Sequence, residues 1–303
     1  MLDIMIIGGG PAGMTAGLYA ARMGLKAVLY ERLMVGGQAS TTNIIENYPG
    51  HAQGIGGPEL MMEFQQQAES AGCEISYDEV SALNLQGDIK TAQTSSGEVQ
   101  ARAAILCMGA QARKLDVPGE ELFRGRGVSY CATCDGAFYR GKRVLVVGGG
   151  NTAAEDALYL SGLCERVYMV HRRDALRADA ALARRIELKS NIEMVWNSTV
   201  TEFTGTKSLE RAKIRGVNTG ETHEIEVAGA FIAVGQVPQS DLVRGAIETD
   251  AAGFIVAGED TQTSLPGVFA AGDIRTKPLR QVVTAASDGA VAASMAGRYL
   301  TMK

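Results

Sequence analysis

Two cysteines separated by two residues are the most reactive side chains of this sequence. Cys131 and Cys134 enclose Ala132 and Thr133, and the carboxylate of Asp135 follows directly. At this spacing two thiols can close a small disulfide ring that opens readily, and one thiol can acquire a lowered pKa. Asp135 can relay the proton that leaves or arrives with each thiol exchange, with a structural turn as its alternative role. The pattern indicates a redox-active dithiol.

Half of a zinc site is the competing interpretation of this cysteine pair. Structural zinc normally has four ligands, so a second pair of Cys or His residues is expected. The sequence has no second pair and its three histidines are scattered, so we expect no metal site. Cys73, Cys107 and Cys164 lie alone among apolar residues and are interpreted as small hydrophobic side chains.

Composition excludes several classes of function. The chain has 303 residues, of which 46% are hydrophobic, and its length allows roughly two domains. A net charge of −5 argues against a nucleic-acid partner, which would need a cationic surface. No uncharged apolar run approaches the roughly 18 residues of a spanning helix, so we expect no membrane segment. An odd number of cysteines without a signal segment predicts a cytoplasmic protein.

A glycine-rich turn near the N-terminus has the surroundings of a dinucleotide site. An apolar strand over Leu2–Ile7 precedes it, and a helix from about Ala12 to Met23 and a strand over Ala27–Tyr30 follow. Backbone N–H groups of such a turn can reach a pyrophosphate at the helix N-terminus. Glu31 would accept from a ribose hydroxyl and repel a phosphate, which favours FAD or an unphosphorylated nucleotide. The candidate residues are Gly8, Gly10, Pro11, Ala12, Gly13 and Glu31.

The same pattern returns in the middle of the chain. A strand over Arg143–Val147, a helix from about Thr152 to Leu160 and a strand over Val167–Val170 surround a second glycine-rich turn. Basic residues rather than a carboxylate follow the second strand. As fixed cations they suit the 2′-phosphate of NADPH, with a solvated basic turn as the alternative. The candidate residues are Gly148, Gly150, Asn151, Thr152, Ala153, His171, Arg172, Arg173 and Arg177.

The order of these segments predicts an α/β protein with one domain inserted into another. An apolar strand from Ile105 to Ala110 precedes a crossing near residue 113, and the strand Ala230–Val234 precedes the return. We expect two Rossmann-like dinucleotide-binding domains. They are an FAD-binding domain over residues 1–112 and 241–303, and an NADPH-binding domain with the cysteine pair over residues 113–240.

Residues near the C-terminus add candidates for flavin binding. Gly272 and Asp273 are predicted to end a strand, and Asp273 can accept a hydrogen bond from a polyol hydroxyl of FAD. The last helix is expected to begin at Arg280, Gln281 and Val282. The positive end of its dipole would then lie where a reduced flavin carries negative charge. A polar turn before a helix is the structural alternative.

With these motifs the sequence resembles the low-molecular-weight thioredoxin reductases, a family of flavoprotein disulfide reductases, along essentially its full length. The order and spacing of the motifs and the inserted second domain all fit this family. The matching segments are Gly8–Gly13, Gly36–Gln38, Glu46–Gly50, Cys131–Asp135, Gly148–Ala153, His171–Ala178, Gly272–Asp273 and Arg280–Ala285.

The resemblance implies a homodimer that binds FAD and NADPH and reduces the disulfide of a thioredoxin-like protein. It implies that Cys134 faces the flavin, that Cys131 attacks the partner's disulfide, and that Asp135 donates and accepts the proton. The family alternates between two domain orientations, for which the two crossings offer hinges near residues 113 and 241. The remaining candidate cofactor-binding residues are Gly37, Gln38, Asn47 and Gly109.

Two features leave the protein substrate open. The family often has an aromatic residue at the position of Ala137, which here is followed by Phe138 and Tyr139, while Arg126 matches a partner-contacting arginine. A glutaredoxin-like acceptor therefore remains an alternative. Two further alternatives are a reductase of the same scaffold fed by ferredoxin and a flavin-bearing redox sensor. The second glycine-rich turn and the basic residues after it argue against the ferredoxin-fed form.

Overall fold

The computed structural model describes residues 1–42 and 44–302, which form two compact units. Residues Met1–Gln111 together with the segment from Val237 onward make the first unit, and Ala112–Gln236 make the second. The chain thus leaves the first unit once, completes the second and returns. Helices alternate with parallel strands in both units, which confirms the predicted α/β fold with an inserted second domain.

The helices and strands lie close to the positions expected from the apolar runs. The helices are α1 (Pro11–Arg22), α2 (Gly57–Ser70), α3 (Ala132–Asp135), α4 (Asn151–Ser161), α5 (Ala180–Glu187) and α6 (Val282–Thr301). The strands are β1 (Leu2–Ile7), β2 (Ala27–Tyr30), β3 (Glu74–Ser76), β4 (Val80–Asn84), β5 (Lys90–Thr94), β6 (Gly97–Leu106), β7 (Ala110–Ala112), β8 (Val128–Ser129), β9 (Arg143–Val147), β10 (Arg166–Val170), β11 (Ile192–Val195), β12 (Ser198–Gly205), β13 (Leu209–Gly216), β14 (Thr222–Glu226), β15 (Gly229–Ile232), β16 (Gln236–Pro238) and β17 (Val268–Ala270).

The first unit is built on a sheet with the order β3-β2-β1-β6-β5-β4, to which β17 adds by pairing with β6. Strand β1 runs parallel to β2 and β6, and its side chains are almost completely buried because helices and other strands cover both faces. Helices α1 and α6 approach closely at small residues. A Cβ atom on Gly289 of α6 would meet the carbonyl oxygen of Ala12 at 2.1 Å, so this packing requires glycine.

The second unit contains a parallel sheet with the order β11-β10-β9-β15-β8 and a separate antiparallel sheet, β12-β13-β14. In the parallel sheet, β9 lies between β10 and β15, and α4 packs over it through Ala153, Ala154 and Ala157, which are all buried. The antiparallel sheet was not foreseen from the sequence. Its buried residues, including Phe203, Ala212 and Ile214, belong to one hydrophobic cluster with Leu145 and Val147 of the parallel sheet.

Three expected elements differ from the structure. The prediction that a strand ends at Gly272–Asp273 is wrong, because β17 ends at Ala270 and Gly272 adopts a φ of +81° in a turn. The strand expected to run from Ile105 to Ala110 is divided, since β6 ends at Leu106 and Gly109, at φ +71°, separates it from β7. Helix α6 begins at Val282, one residue after its N-cap, so Arg280 precedes the helix.

The two crossings between the units lie side by side. Strands β7 and β16 pair as a two-stranded sheet. Within the second unit the Arg113 N–H donates to the Gly235 oxygen at 3.0 Å, and within the first unit the Gln239 N–H donates to the Gly109 oxygen at 2.9 Å. Across the described part of the chain, no helix combines the length and apolarity needed to cross a bilayer.

Candidate cofactor and dithiol sites

The first glycine-rich turn requires glycine at two positions for packing within the protein. Gly8 follows β1 with a φ of +105°, and a Cβ there would lie 2.5 Å from the Cys107 oxygen. A Cβ on Gly13 would lie 1.9 Å from the Gly8 oxygen, so α1 could not approach the turn. These two glycines therefore set how closely the strand, the turn and the helix pack.

Gly10 differs, because neither its backbone nor its protein neighbours require glycine. It is the extended N-cap of α1, at φ −78°, and a Cβ placed on it would have no atom of the described residues within 4 Å. Helix α1 begins without a side-chain cap, with Pro11 in its first turn and Ala12 buried beneath. An uncapped helix N-terminus with open space beside it fits a pyrophosphate.

Glu31 closes the other side of this turn. Its Oε2 accepts from the Gly9 N–H at 2.9 Å and its Oε1 accepts from the Leu33 N–H at 3.2 Å. These two bonds fix the carboxylate at the end of β2, and each oxygen keeps a lone pair for a ribose hydroxyl. Glu31 thus also holds the glycine turn, a role that the sequence pattern did not suggest.

The segment after β2 lies against the same turn. The Gly36 N–H donates to the Gly9 oxygen at 2.8 Å, and a Cβ on Gly37 would lie 3.5 Å from the Gly10 Cα. Gln38 is exposed in the 3-10 turn Gly37–Thr41. These contacts bring the predicted residues Gly37 and Gln38 next to the open N-terminus of α1.

Asn47 is joined to the start of the last helix. Its side-chain amide donates to Gln281 Oε1 at 3.0 Å. Gln281 caps α6, and its backbone N–H donates to the Thr284 hydroxyl at 3.1 Å. The structure therefore places Asn47, Gln281 and Val282, the first residue of α6, together as predicted candidates.

Asp273 is a buried carboxyl with an unused acceptor. Within the described residues its Oδ1 has no hydrogen-bond partner, and burial raises the pKa of this group. Burying a polar atom without a partner is costly, so a ligand hydroxyl is the natural complement. This observation fits a polyol or ribose hydroxyl of a bound flavin nucleotide.

Arg280 lies beside Asp273 and is held by an aromatic ring and by backbone oxygens. Its guanidinium stacks 4.1 Å from the Phe254 ring centroid, and its N–H groups donate weakly, at 3.4 Å, to the Asp273 and Arg275 carbonyl oxygens. Stacking of this kind orients a cation while leaving part of its charge for another group. Arg280 is thereby held near Asp273, where the sequence placed a flavin site.

The second glycine-rich turn repeats the geometry of the first. Gly148 follows β9 at φ +152°, and a Cβ there would lie 2.4 Å from the Ala233 oxygen. Gly150 is the extended N-cap of α4, which has no side-chain cap, and within the described residues no atom lies within 4 Å of its Cβ position. A second uncapped helix N-terminus with open space therefore fits a second pyrophosphate.

The first residues of α4 have different surroundings. Asn151 exchanges two hydrogen bonds with Asp179, the N-cap of α5, since its Nδ2 donates to the carboxylate at 2.8 Å and its Oδ1 accepts from the Asp179 N–H at 2.9 Å. Thr152 is exposed and Ala153 is buried against Gly148. Asn151 and Thr152 are thus both exposed, and the Asn151 side chain is held by Asp179.

His171 differs from the expectation of a fixed cation. It is buried, and burial together with Arg177 and the other nearby arginines lowers its pKa, so the neutral imidazole is favoured. Its ring lies against Gly149, where a Cβ would approach the imidazole to 2.3 Å. His171 therefore contributes packing beneath the second glycine turn instead of positive charge.

The arginines of the same segment remain exposed. The Arg177 N–H donates to the Gly149 oxygen at 2.7 Å, which ties this segment to the glycine turn. Arg172 and Arg173 line a pocket. The sequence predicted these two residues but not the rest of the lining, which comes from the antiparallel sheet and the residues next to it. The other lining residues are Thr199, Arg215, Gly216, Val217 and Gly220.

Cys131 and Cys134 form a disulfide, with Cα atoms 5.3 Å apart. Cys131 is the N-cap of α3, and its carbonyl oxygen accepts from the Cys134 N–H at 3.3 Å and the Asp135 N–H at 3.2 Å. The Ser129 hydroxyl accepts from the Cys131 N–H at 3.1 Å. This short helical turn brings both sulfurs and the following carboxyl together within one segment.

Asp135 has the environment of a proton carrier. Burial raises the pKa of its carboxyl, while a hydrogen bond with Ser129 partly opposes the shift. A carboxyl with a raised pKa holds its proton at a pH where an ordinary aspartate is ionised. The group directly after the disulfide can therefore donate as well as accept a proton.

The other cysteines are free and buried, which confirms their predicted role as small hydrophobic side chains. Burial raises the pKa of Cys73 and of Cys164 to about 11, and that of Cys107 further. Such thiols are poor nucleophiles. Thiol chemistry among the described cysteines is therefore concentrated at Cys131 and Cys134.

Comparison with known proteins gives matches over nearly the whole chain. The family model described as pyridine nucleotide-disulphide oxidoreductase matches residues 2–289. A thioredoxin reductase of Mycolicibacterium smegmatis is 44% identical over 299 residues, which cover 98% of this chain and 96% of that protein. A bifunctional thioredoxin reductase/thioredoxin of Mycobacterium leprae is 43% identical over 300 residues, which cover 98% of this chain and 66% of that protein.

A solved structure gives the same result in three dimensions. The crystal structure of thioredoxin reductase from Streptococcus pyogenes MGAS5005 matches with a TM-score of 0.93 at 43% sequence identity. The match covers 100% of this chain and 99% of the other. Both glycine turns and the cysteine pair lie inside the matched region.

Proposed function

This chain belongs to the pyridine nucleotide-disulphide oxidoreductase family, and we propose that it is a thioredoxin-disulfide reductase that uses FAD and NADPH. It is an oxidoreductase that uses a flavin and a pyridine nucleotide. The observation that carries the proposal is the Cys131–Cys134 disulfide, followed directly by a carboxyl of raised pKa. Two uncapped helix N-termini supply places for the two nucleotides.

The residues present fit both nucleotides. In the first unit FAD would be held at the N-terminus of α1, with Glu31 toward its ribose and the unpartnered Asp273 oxygen toward a hydroxyl. In the second unit NADPH would be held at the N-terminus of α4, with Arg172 and Arg173 toward its 2′-phosphate. When bound, the two nucleotides would supply two reducing electrons as a hydride, and the Cys131–Cys134 disulfide would take up these electrons and two protons to become a dithiol.

The dithiol then exchanges with the protein substrate. The Cys131 thiolate attacks the substrate's disulfide, forming a mixed disulfide and releasing one substrate thiolate. The Cys134 thiolate attacks Cys131 Sγ, which closes the internal disulfide again and releases the second substrate thiolate. Asp135 accepts the proton that leaves Cys134 and passes it to one departing thiolate, while the proton of the Cys131 thiol goes to solvent and the other departing thiolate takes its proton from solvent. Two electrons and two protons thus pass from the dithiol to the substrate.

Thioredoxin is the substrate that the relatives support. The Mycobacterium leprae relative is named as thioredoxin reductase and thioredoxin in one chain, so the two activities occur together there. We also infer a homodimer located in the cytoplasm, in line with the resemblance and with three free, buried thiols. The exposed residues Ala137 and Phe138 after the disulfide leave a glutaredoxin-like acceptor as the second candidate.

The test is a reduction assay with purified protein and candidate acceptors from the same organism. We expect one NADPH to be consumed for each thioredoxin disulfide reduced. The loss of NADPH absorbance measures the first quantity, and a count of free thiols measures the second. A protein that purifies without flavin and cannot be reconstituted would contradict the proposal. Flavin reduction by ferredoxin but not by NADPH would favour the ferredoxin-fed alternative. Faster turnover with a glutaredoxin-like protein than with thioredoxin would change the assigned protein substrate and leave the rest of the proposal intact.

A further inference from the structure

A third arginine faces the pocket that Arg172 and Arg173 line, and it comes from a different element. Arg215 lies near the end of β13, about forty residues further along the chain, and contributes to the same pocket wall as Thr199 and Gly216. Sequence comparison of the two glycine turns gives no hint of this residue, because the antiparallel sheet has no counterpart at the first turn.

Backbone hydrogen bonds fix this sheet against the segment after β10. The Ser198 N–H donates to the His171 oxygen at 3.0 Å, and the Asn197 N–H donates to the Arg173 oxygen at 3.1 Å. In the ladder between β12 and β13, Thr199 pairs with Arg215. Arg215 is thus placed beside the arginine segment by main-chain contacts, and not by the chance orientation of one long side chain.

The charge pattern on this face of β13 sets Arg215 apart. Lys213 lies opposite Glu202 and Glu224, and its Nζ is 3.9 Å from the Glu202 carboxylate. Arg211 lies 3.8 Å from the Glu224 carboxylate. These two basic residues of the strand are therefore paired with carboxylates of the neighbouring strands, as is usual for an exposed sheet face.

Arg215 has neutral neighbours instead. The residues opposite it are Thr199 on β12 and Thr222 on β14. Within the described residues neither Arg215 nor Arg172 or Arg173 has a carboxylate within 4.0 Å. In a chain with a net charge of −5, three unpaired arginines around one pocket indicate an anion of more than one charge.

We propose that Arg215 is a further arginine of the site for the 2′-phosphate of NADPH, supplied by β13 to the pocket that Arg172 and Arg173 also line. The inference rests on the proposed function, since it concerns the nucleotide of the second unit. A phosphate monoester carries nearly two negative charges and three acceptor oxygens, which one segment of two adjacent arginines covers from one side only. Arg215 adds a guanidinium from a different element and sets the preference for NADPH over NADH.

Binding of the isolated nucleotide fragments tests this without turnover. The FAD-loaded enzyme is titrated calorimetrically with 2′,5′-ADP and with 5′-AMP, which differ by the phosphate in question. We expect Arg215→Ser to weaken 2′,5′-ADP binding about tenfold, the loss of one charge-assisted contact, and 5′-AMP binding less than twofold. Arg215→Lys should recover part of the loss. The KM ratio of NADPH to NADH should rise in the same proportion.

Arg211→Ser is the matched control, because Arg211 lies on the same strand and face but pairs with Glu224. It should leave both titrations unchanged. Equal weakening of the two fragments by Arg215→Ser, or no weakening of either, overturns the role of Arg215. If Arg172→Ser removes the discrimination and Arg215→Ser does not, the proposed function stands and this inference fails. If the unaltered enzyme does not discriminate, both the NADPH preference and the role of Arg215 fail.

Discussion

Asp288 and Arg275 form a two-pronged ion pair in the interior of the first unit. Arg275 Nε donates to Oδ2 at 2.8 Å and Nη2 donates to Oδ1 at 2.7 Å. Lys277 Nζ adds a bond to Oδ2 at 2.8 Å, and the Gly272 N–H donates to the same oxygen at 3.0 Å. Asp288 thereby anchors the turn that carries Asp273.

We predict that Asp288→Asn destabilises the protein by about 3–5 kcal/mol, because it leaves two buried cations without a full counter-charge. It should also lower the flavin content of the purified protein, since the turn before Asp273 loses its anchor. Urea unfolding and flavin absorbance measure the two effects. Asp241→Asn, in an exposed pair with Arg244, is the control and should change neither.

The pH dependence of this ion pair has a defined sign. Burial opposes ionisation of Asp288, but the bonds from Arg275 and Lys277 outweigh it and hold its pKa below the ordinary value. The stability it contributes is therefore complete above the pKa of an unfolded aspartate, about 3.9, and is lost as the pH falls further. The difference between the native protein and Asp288→Asn should shrink over that acidic range.

The two kinds of glycine in the second turn should respond differently to alanine. We predict that Gly150→Ala changes the free energy of unfolding by less than about 0.5 kcal/mol, since its backbone is extended and its Cβ meets open space. The same substitution should weaken the binding of NADPH markedly. Gly148→Ala should instead destabilise the fold, because of its positive φ and a Cβ 2.4 Å from the Ala233 oxygen. Unfolding curves and nucleotide titrations separate them. Loss of stability in Gly150→Ala would argue for a structural role of this turn.

Cys134→Ser separates the two halves of the reaction. We expect it to abolish reduction of the protein disulfide while NADPH still bleaches the flavin, because only the sulfur pair is interrupted. Stopped-flow absorbance and the coupled assay follow the two steps. Cys164→Ala, a buried free cysteine of the same unit, serves as the control and should retain both. Loss of flavin bleaching in Cys134→Ser would mean that the cysteine pair is misassigned.

Asp135 predicts a pH signature of thiol exchange. Since burial raises its pKa, the native enzyme keeps the proton donor above the pH at which ordinary aspartates ionise, and exchange should slow as the pH rises through this pKa. In Asp135→Asn that limb of the rate profile should be absent and the rate reduced throughout. Rates of reoxidation by thioredoxin across the acidic and neutral range test it. An unchanged profile would assign the proton to another group.

Local features of this protein could be read from the sequence with little loss. The strands and helices around both glycine turns are set by short apolar runs and small residues, and they lie within a few residues of their predicted bounds. Positions such as Gly8 and Gly148 require positive φ and close contacts, which is why glycine marks them so clearly.

Features that depend on distant contacts could not be predicted. The anchor of Asp273 is Asp288, which lies on another element, and Arg215 reaches the arginine pocket from a sheet with no motif of its own. His171 looked like a cation because its neighbours are arginines. Its burial against Gly149 could not be seen in the sequence, and this burial together with the nearby arginines lowers the pKa of the ring.

The pairing of β7 with β16 has a consequence for how such chains can evolve. Because β7 and β16 pair, the points where the chain enters and leaves the second unit are adjacent, so the unit is an insertion with its two ends side by side. Exchanging the whole second unit would disturb only the paired strands β7 and β16 and would leave the large sheet of the first unit unchanged. A change of electron donor or acceptor could therefore arise by recombination at two short stretches of gene, without rebuilding the first unit.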